Sequence, residues 1–461
     1  MKKTLIALAA LAATASYAQT TVEVYGRAHI GYDATYKATG GTATPGGAAV
    51  TLTTPASLSS SSLAQSPTIA TVATVTGAGT AVTAANAAYN IVQRSRVADD
   101  GSRIGFRVRE ELGGGAYARA VIETGVNLDT NSANGQSGAA NSGTGFLGSR
   151  DAWVGVGNAM GDIRMGRQNN FWGNGAIEDV GANRIHFAIT GMYTAPSSGW
   201  VGGPAARVDN TLKFVANQGL AGAFAGSEIW MAKPVAAESA APIVTSASTT
   251  TKNDLGEIKA KSNGYTLKYT NGPIAAQYDW ATNKNQANGV STTTANDSSL
   301  TGSKLGLAYT YATGSKVYVI NSTFKQEFLV AAANNVAPVT PVLGALATAT
   351  NLVPAGYRKQ SNNMIGVQHR MGAWELHAVY ANQGNVKQFD GTEMADSGSK
   401  AYTLGARYEL SNRTALTVAT TEVKNGKNNN INNSGGGQSS VAAIGYGAKL
   451  SQTGVSIQHN F

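Results

Sequence analysis

Residues 22–33 read VEVYGRAHIGYD, and apolar and polar side chains alternate along them. One parity carries Val22, Val24, Gly26, Ala28, Ile30 and Tyr32, and the other carries Glu23, Tyr25, Arg27, His29 and Asp33. Successive side chains of a β-strand point to opposite faces, so one face of this segment is apolar and the other is polar. The stretch is therefore predicted to be a β-strand. A half-buried strand of a soluble protein shows the same alternation.

Repetition of this pattern, without helical periodicity to cover the apolar side, favours a membrane barrel over a soluble sheet. Three later segments alternate in the same way, with apolar parities Leu305, Leu307, Tyr309, Tyr311; Trp374, Leu376, Ala378, Tyr380; and Tyr402, Leu404, Ala406, Tyr408. Aromatic residues lie at the segment ends, where an interfacial girdle is expected.

Short turn signals join some segments into hairpins. They lie at residues 111–115, 158–161, 218–222, 270–273, 312–315 and 410–413. Between the hairpins lie long Ser-, Thr-, Ala- and Gly-rich stretches, and residues 38–93 and 328–357 contain no charged residue. Short turns at one end and long loops at the other are typical of a barrel with two unlike rims.

The segments predict an all-β fold, a closed antiparallel transmembrane β-barrel of about sixteen strands with short periplasmic turns and long extracellular loops. Closure follows because every backbone N–H and C=O in hydrocarbon must be paired, which a sheet achieves only without edges. A barrel this wide is not filled by its side chains, so an aqueous lumen is expected. A pore is the default function of that shape.

The N-terminus is predicted to be a signal peptide spanning residues 1–18. Lys2 and Lys3 precede a short apolar run, and Ser16, Tyr17 and Ala18 form a small-residue cleavage site. Residues 19–461 are predicted to form a single barrel domain. No other segment has the roughly 18 consecutive apolar residues that a membrane-spanning helix needs.

Composition narrows the function classes. Only 13% of the residues are charged, against about 25% in soluble domains, and 55 of the 461 residues are glycine. Cysteine is absent, so neither disulfides nor thiolate metal sites are expected. The net charge of +9 comes from scattered Lys and Arg residues rather than a basic tract, so no nucleic-acid partner is predicted.

Several motifs resemble the general porins of Gram-negative bacteria, especially the β-proteobacterial branch. They are SRIGF at 102–106, EELGGG at 110–115, ETG at 123–125, RDAWVG at 150–155, MGRQ at 165–168, RVDNT at 207–211, LGARYELSNRT at 404–414 and VSIQHNF at 455–461. Each motif is weak alone, but together they are specific and span both ends of the chain. The first loop, 38–93, is longer than in that family, and the sixth loop is unusually long and uncharged.

This resemblance implies a homotrimer of sixteen-stranded barrels, each narrowed by a third loop folded into the pore, here residues 169–206. It also implies that the C-terminal residues Phe461, Ile457 and Val455 are read by the barrel-assembly machinery. Further expected partners are outer-membrane lipids, lipopolysaccharide, ions and small hydrophilic solutes. The location implied is the outer membrane, reached by export through the inner membrane.

In such porins, cationic side chains on the wall face acidic ones on the third loop across a constriction, and the transverse field filters solutes. The motifs assign Arg103, Arg150 and Arg207 to the wall, and strand parity adds Arg107 and Arg119. Arg150 shares its parity with Ala152, Val154 and Val156, which alternation alone places on the apolar face. The acidic side is assigned to Glu178 and Asp179. Because cations outnumber acids, a weak anion preference is expected.

The alternatives are an enzyme and a binding protein. The five histidines lie in no recognisable nucleophile motif or zinc spacing, so no catalytic residue, metal or cofactor is predicted. Asp129, Asn131 and Gly135 faintly resemble a calcium loop that lacks its closing acid. The more serious alternative is a substrate-selective channel, or an adhesin or phage receptor that uses the long uncharged loops.

Overall fold

The computed structural model describes residues 20–42, 50–52, 82–84, 90–129, 147–170, 177, 207–217, 222–232, 261–285, 298–328, 356–388, 390–431 and 444–461. Within these residues, no helix is both long and apolar enough to cross a bilayer. In the same described ranges, the 3₁₀ turn Gly222–Phe224 is the only helical element among strands and turns.

Sixteen strands make up the main sheet. They are β1 (Thr20–Thr39), β2 in two segments (Ile91–Asp99 and Arg103–Gly113), β3 (Ala116–Gly125), β4 (Ala152–Gly157), β5 (Gly161–Asn169), β6 (Arg207–Ala216), β7 (Glu228–Ala232), β8 (Lys261–Asn271), β9 (Ile274–Asn285), β10 (Ser298–Ala312), β11 (Ser315–Phe328), β12 (Gly356–Met371), β13 (Trp374–Gln383), β14 (Ser399–Glu409), β15 (Thr414–Asn425) and β16 (Lys449–Asn460). Two short strand pairs extend the loops: Val50–Leu52 with Val82–Ala84, and Val386–Gln388 with Glu393–Met394.

Each strand pairs antiparallel with the next along the chain, and β16 pairs with β1, which closes the ring. The closing register runs from Arg27 opposite Asn460 to Thr39 opposite Lys449. The predicted closed antiparallel barrel of about sixteen strands is thereby confirmed. A closed ring pairs every strand on both sides, as hydrocarbon surroundings require.

Strand β2 is broken by a tight turn between Asp99 and Arg103. The Asp99 carboxylate accepts hydrogen bonds from the backbone N–H groups of Gly101 (2.9 Å) and Ser102 (3.1 Å). Gly101 has φ 75°, a conformation that glycine adopts without steric cost. The turn lets both segments of β2 pair with the single strand β1.

The two faces of the barrel differ in polarity as the alternation predicts. Outward side chains such as Val22, Leu305 and Leu404 are 45–63% exposed on the surface of the barrel. In the membrane, lipid covers this surface. Inward side chains are polar and buried, as His29 and Lys304 show. The apolar surface is therefore on the outside and the polar surface lines the lumen.

Short turns connect the strands at the end of the barrel that holds the N-terminal half of β1. The six predicted turns lie between strands, and the hairpin between Met371 and Trp374 is an additional turn without a strong sequence signal. Its Gly372 has φ 60°. The connection between β6 and β7 is longer than predicted, because it spans residues 217–227.

The strand bounds correct the predicted loop limits. Strand β1 continues to Thr39 because Ala38 and Thr39 still pair with β16, and β2 already begins at Ile91, so the first loop is shorter than 38–93. The third loop connects Asn169 to Arg207. Most of the first, third and sixth loops lies outside the described residues.

Candidate functional site

Three arginines meet around one carboxylate on the lumen wall. Glu123 lies on β3 with inward parity, Arg103 and Arg207 are the first residues of the second β2 segment and of β6, and Arg150 precedes β4. Arg150, Arg207 and Glu123 lie where the second and third loops attach, and Arg103 follows the tight turn that interrupts β2. The barrel thus positions them near the base of the second and third loops.

Glu123 is the centre of this cluster. Its Oε1 forms an ion pair with Arg150 Nε and lies 3.9 Å from Arg207 Nη2, while its Oε2 lies 3.5 Å from Arg103 Nε. Tyr25 Oη donates a hydrogen bond to Oε2 over 3.1 Å. The shared carboxylate lets three guanidinium groups approach each other, because it offsets part of their repulsion.

Two further residues complete the cluster, and neither was predicted to belong to the site from its sequence. Asp151 Oδ1 accepts a hydrogen bond from Arg207 Nε (2.8 Å). Arg27, only 4% exposed, donates to the backbone carbonyls of Asp100 (2.8 Å) and Gly101 (2.9 Å). The inward parity of Arg27 in the first strand was the one sequence feature that indicated its place on the lumen wall. We call Arg27, Arg103, Arg150, Arg207, Glu123 and Asp151 the arginine cluster.

Arg150 turns inward although strict alternation placed it on the apolar face. The residue lies before the first residue of β4, so strand parity does not govern its side chain. Backbone hydrogen bonds hold this segment against β3, from Arg150 N to Glu123 O (3.0 Å) and from Glu123 N to Asp151 O (2.6 Å). The Arg150 side chain is buried beside Glu123.

Arg107 and Arg119 face the lumen but lie outside the arginine cluster. Arg107 stacks over the Tyr25 ring at 3.7 Å, and its Nη1 is 3.6 Å from Glu23. Arg119 lies 3.5 Å from Asp162, which also binds Arg164. These two arginines therefore line neighbouring regions of the wall.

The acidic residues predicted for the third loop, Glu178 and Asp179, lie outside the described residues. Their neighbour Ile177 is described, and it is buried against the inner wall at β10 and β11, four strands around the ring from β6. Its backbone carbonyl accepts a hydrogen bond from Lys316 of β11 (2.8 Å), and its side chain lies over Gly306 of β10. The third loop therefore enters the lumen and contacts the wall there.

A serine, a histidine and an aspartate meet at the closing seam. His29 Nε2 is 3.0 Å from Ser456 Oγ, and His29 Nδ1 is 3.4 Å from Asp100 Oδ2. The Ser456–His29–Asp100 contacts resemble the nucleophile, base and acid of a catalytic triad. However, all three side chains are at most 5% exposed. A substrate cannot reach these buried side chains, and their contacts connect β1, β16 and the turn within β2.

The predicted assembly residues lie on the outer face of β16. Val455, Ile457 and Phe461 are each about half exposed and share one parity. Phe461 continues the seam with β1 beyond the last strand residue, because it exchanges both backbone hydrogen bonds with Gly26. Metal ligands show no comparable grouping: the described part of the chain holds no cluster of three or more His, Asp or Glu side chains suited to an ion.

Comparisons with known proteins agree with this architecture. A family model described as Gram-negative porin matches residues 4–429. The structure resembles an anion-selective porin from Comamonas acidovorans, with TM-score 0.59 and 17% identity over 96% of this chain and 100% of that chain. It also resembles the trimer form of in vitro folded OmpT from Vibrio cholerae, with TM-score 0.52 and 12% identity over 96% and 99%. Salmonella typhi OmpF in complex with daunomycin gives TM-score 0.50 and 13% identity over 95% and 97%. No curated sequence matches the chain.

Proposed function

This chain belongs to the Gram-negative porin family, and on that premise we propose that it passes ions and small hydrophilic solutes by passive diffusion, with a weak preference for anions. Family and fold make it an outer-membrane channel. The preference, the breadth of solutes and the residues that set them are the proposal.

The observation that carries the proposal is the arginine cluster. Three guanidinium groups contact two carboxylates, Glu123 and Asp151, on one side of the lumen, and the buried Arg27 adds a fourth positive charge to the cluster. Arg103 and Arg207 are the most exposed of these arginines, so they present positive charge to water in the pore. Charge in a narrow passage with low-dielectric walls raises the local concentration of the opposite ion.

Selectivity depends on the third loop narrowing the lumen beside this cluster. The loop follows Asn169, and its residue Ile177 contacts the wall at β10 and β11 rather than at β5 and β6, which supports a loop folded into the lumen. We propose that Glu178 and Asp179 form the negative side of the constriction opposite Arg103, Arg150 and Arg207, with Arg107 and Arg119 extending the cationic wall. The resulting transverse field orders water and hinders apolar solutes.

We further propose that the barrel assembles as a homotrimer, as the resemblance implies and as the similar trimeric structure from Vibrio cholerae supports. Residues 1–18 are proposed to be removed on export, and Phe461, Ile457 and Val455 to be recognised by the barrel-assembly machinery. Porins are channel proteins, and we propose no catalytic activity for this chain.

The test is a planar-bilayer recording of the purified protein in a salt gradient. The proposal expects stable single-channel steps, a current that increases linearly with solute concentration, and a reversal potential with the sign of anion preference. A current that saturates with one solute would support a substrate-selective channel instead. Clear cation preference would refute the assignment of the arginine cluster.

A further inference from the structure

A row of basic residues crosses the inner wall near the short turns. It consists of Arg109 of β2, Arg119 of β3, Arg164 of β5 and Lys213 of β6, which lie opposite one another in register with Gly155 of β4 between Arg119 and Arg164. Each of the four lies within four residues of the turn-side end of its strand. All four have inward parity, so the row faces the lumen.

The row is separate from the arginine cluster. Arg119 and Glu123 are four residues apart on β3, which is about 13 Å along the strand. Arg109 and Arg119 are directly opposite each other, and like charges in that position destabilise a sheet. Stability therefore does not account for this pair of arginines.

Aromatic rings lie beneath the guanidinium groups. Arg109 Cζ is 3.9 Å from the centroid of the Tyr117 ring, and Arg164 and Arg119 are 4.5 Å and 5.9 Å from that of Trp153. Tyr117 and Trp153 are buried, whereas Arg109 and Arg119 are 44% and 33% exposed. The rings therefore form a floor, and the guanidinium groups present their other faces to the lumen. We call Arg109, Arg119, Arg164, Tyr117 and Trp153 the stacked arginine row.

Carboxylates orient the guanidinium groups without cancelling their charge. Asp162, which is 1% exposed, accepts hydrogen bonds from Arg164 Nε (2.8 Å) and Nη2 (3.1 Å) and lies 3.5 Å from Arg119 Nη1. Arg109 pairs with Glu111 beside the turn. The three guanidinium groups thus exceed these two carboxylates by one positive charge, and the buried Asp162 lies behind the arginines rather than in the lumen.

Gly155 leaves a gap in the row. The strands of Arg119 and Arg164 are two apart in the sheet, so their backbones are separated by roughly 10 Å. A Cβ on Gly155 would lie 3.1 Å from Arg164 Cγ, so a larger residue would crowd this space. With glycine, the space between the two guanidinium groups is open to a flat molecule.

We propose that the stacked arginine row binds planar aromatic carboxylates on their way through the pore. The solute ring stacks on an exposed guanidinium face, and its carboxylate accepts hydrogen bonds from the N–H edge of a neighbouring arginine. This inference rests on the proposed function, passage of anions, and adds a solute class to it. An anion with a saturated ring carries the same charge but has no flat π face.

The test compares benzoate with cyclohexanecarboxylate, which are both ionised at pH 7 and similar in size. Each is added to single channels of the full-length barrel in a planar bilayer, and the interruptions of the chloride current are counted. Benzoate is expected to interrupt the current at about fivefold lower concentration, because it alone stacks on the guanidinium groups. Equal concentrations for the two anions would overturn the proposal.

The decisive variant is R109K/R119K, which keeps both positive charges but removes two planar faces. It is expected to bring the two anions within about twofold of each other. Heat-resistant electrophoretic mobility and chloride conductance verify that the variant folds and opens. A preference for benzoate that survives in this variant would overturn the proposal.

The matched control is R370K/R413K. Arg370 lies on β12 and Arg413 at the turn between β14 and β15, remote from Tyr117 and Trp153. The control is expected to keep the fivefold difference, and its loss there would also overturn the proposal. The reversal potential of the same channels in a salt gradient reports the proposed anion preference separately, so that preference can fail while the difference between the two anions persists.

Discussion

Gly26 and Phe461 exchange both of their backbone hydrogen bonds, and the Phe461 ring occupies the space that a side chain on Gly26 would need. Gly26 N donates to Phe461 O over 2.9 Å, and Phe461 N donates to Gly26 O over 3.1 Å. A Cβ on Gly26 would overlap the ring atoms of Phe461. The first strand and the last residue therefore fit each other at the seam that closes the barrel.

Replacing Gly26 by valine is expected to prevent this fit. The new side chain forces the Phe461 ring away or opens the seam, so we expect a loss of about 1–3 kcal/mol in stability. Urea unfolding in detergent, followed by tryptophan fluorescence, measures this loss. Ala28→Val is the control, because it adds bulk on the same face of the same strand.

Removing the two most exposed arginines of the arginine cluster, Arg103 and Arg207, is expected to reduce anion preference. In R103Q/R207Q the carboxylates of Glu123 and Asp151 remain, so the reversal potential in a salt gradient should move toward zero or change sign. In the unmodified channel, the preference should also weaken between 0.1 M and 1 M salt, because the Debye length falls from about 10 Å to about 3 Å.

The control for that prediction is R109Q/R370Q, which removes the same charge elsewhere. Arg109 and Arg370 form ion pairs with Glu111 and Glu409 near the short turns. We expect a smaller shift of the reversal potential in this variant. If both double variants shift it equally, net lumen charge rather than the cluster sets selectivity.

Lys316 is expected to keep the third loop in place. In K316M the side chain has no donor for the Ile177 carbonyl, so the loop should leave the wall more often. The expected result is noisier open-channel current and a higher mean conductance in bilayer recordings. K325Q changes the same strand on its outer face and should leave the current unchanged. Quiet, unaltered K316M channels would contradict the anchoring role.

Periodicity sufficed to predict the barrel because its physical cause is local. Leu305 and Lys304 lie on opposite sides of one strand wherever that strand lies in the barrel. Alternation therefore shows which side chain points to lipid and which points to water. The turn at Gly372 was not predicted because a two-residue turn needs only one permissive residue, and a single glycine is a weak signal.

The arginine cluster was only partly predictable. Arg103 and Arg207 came from motifs, but Asp151 and Arg27 join them through contacts between strands that are distant in sequence. Arg150 lies just outside a strand, where alternation no longer determines direction. The meeting of His29 with Ser456, separated by 427 positions, likewise depends on barrel closure.

The ion pair of Lys213 with Glu228 yields a stability prediction that separates a buried pair from an exposed one. Nζ of Lys213 lies 2.9 Å from Glu228 Oε2, and both side chains are at most 3% exposed. Removing one partner leaves a buried charge without its counter-ion, so E228Q should lower the free energy of unfolding by about 3–5 kcal/mol.

The double variant K213M/E228L removes both charges and should recover most of that loss. E422Q breaks the half-exposed pair with Lys449 and should cost less than about 1 kcal/mol. Urea unfolding in detergent compares the three variants, and a loss in E228Q no larger than that in E422Q would show that water or a neighbouring group solvates Lys213.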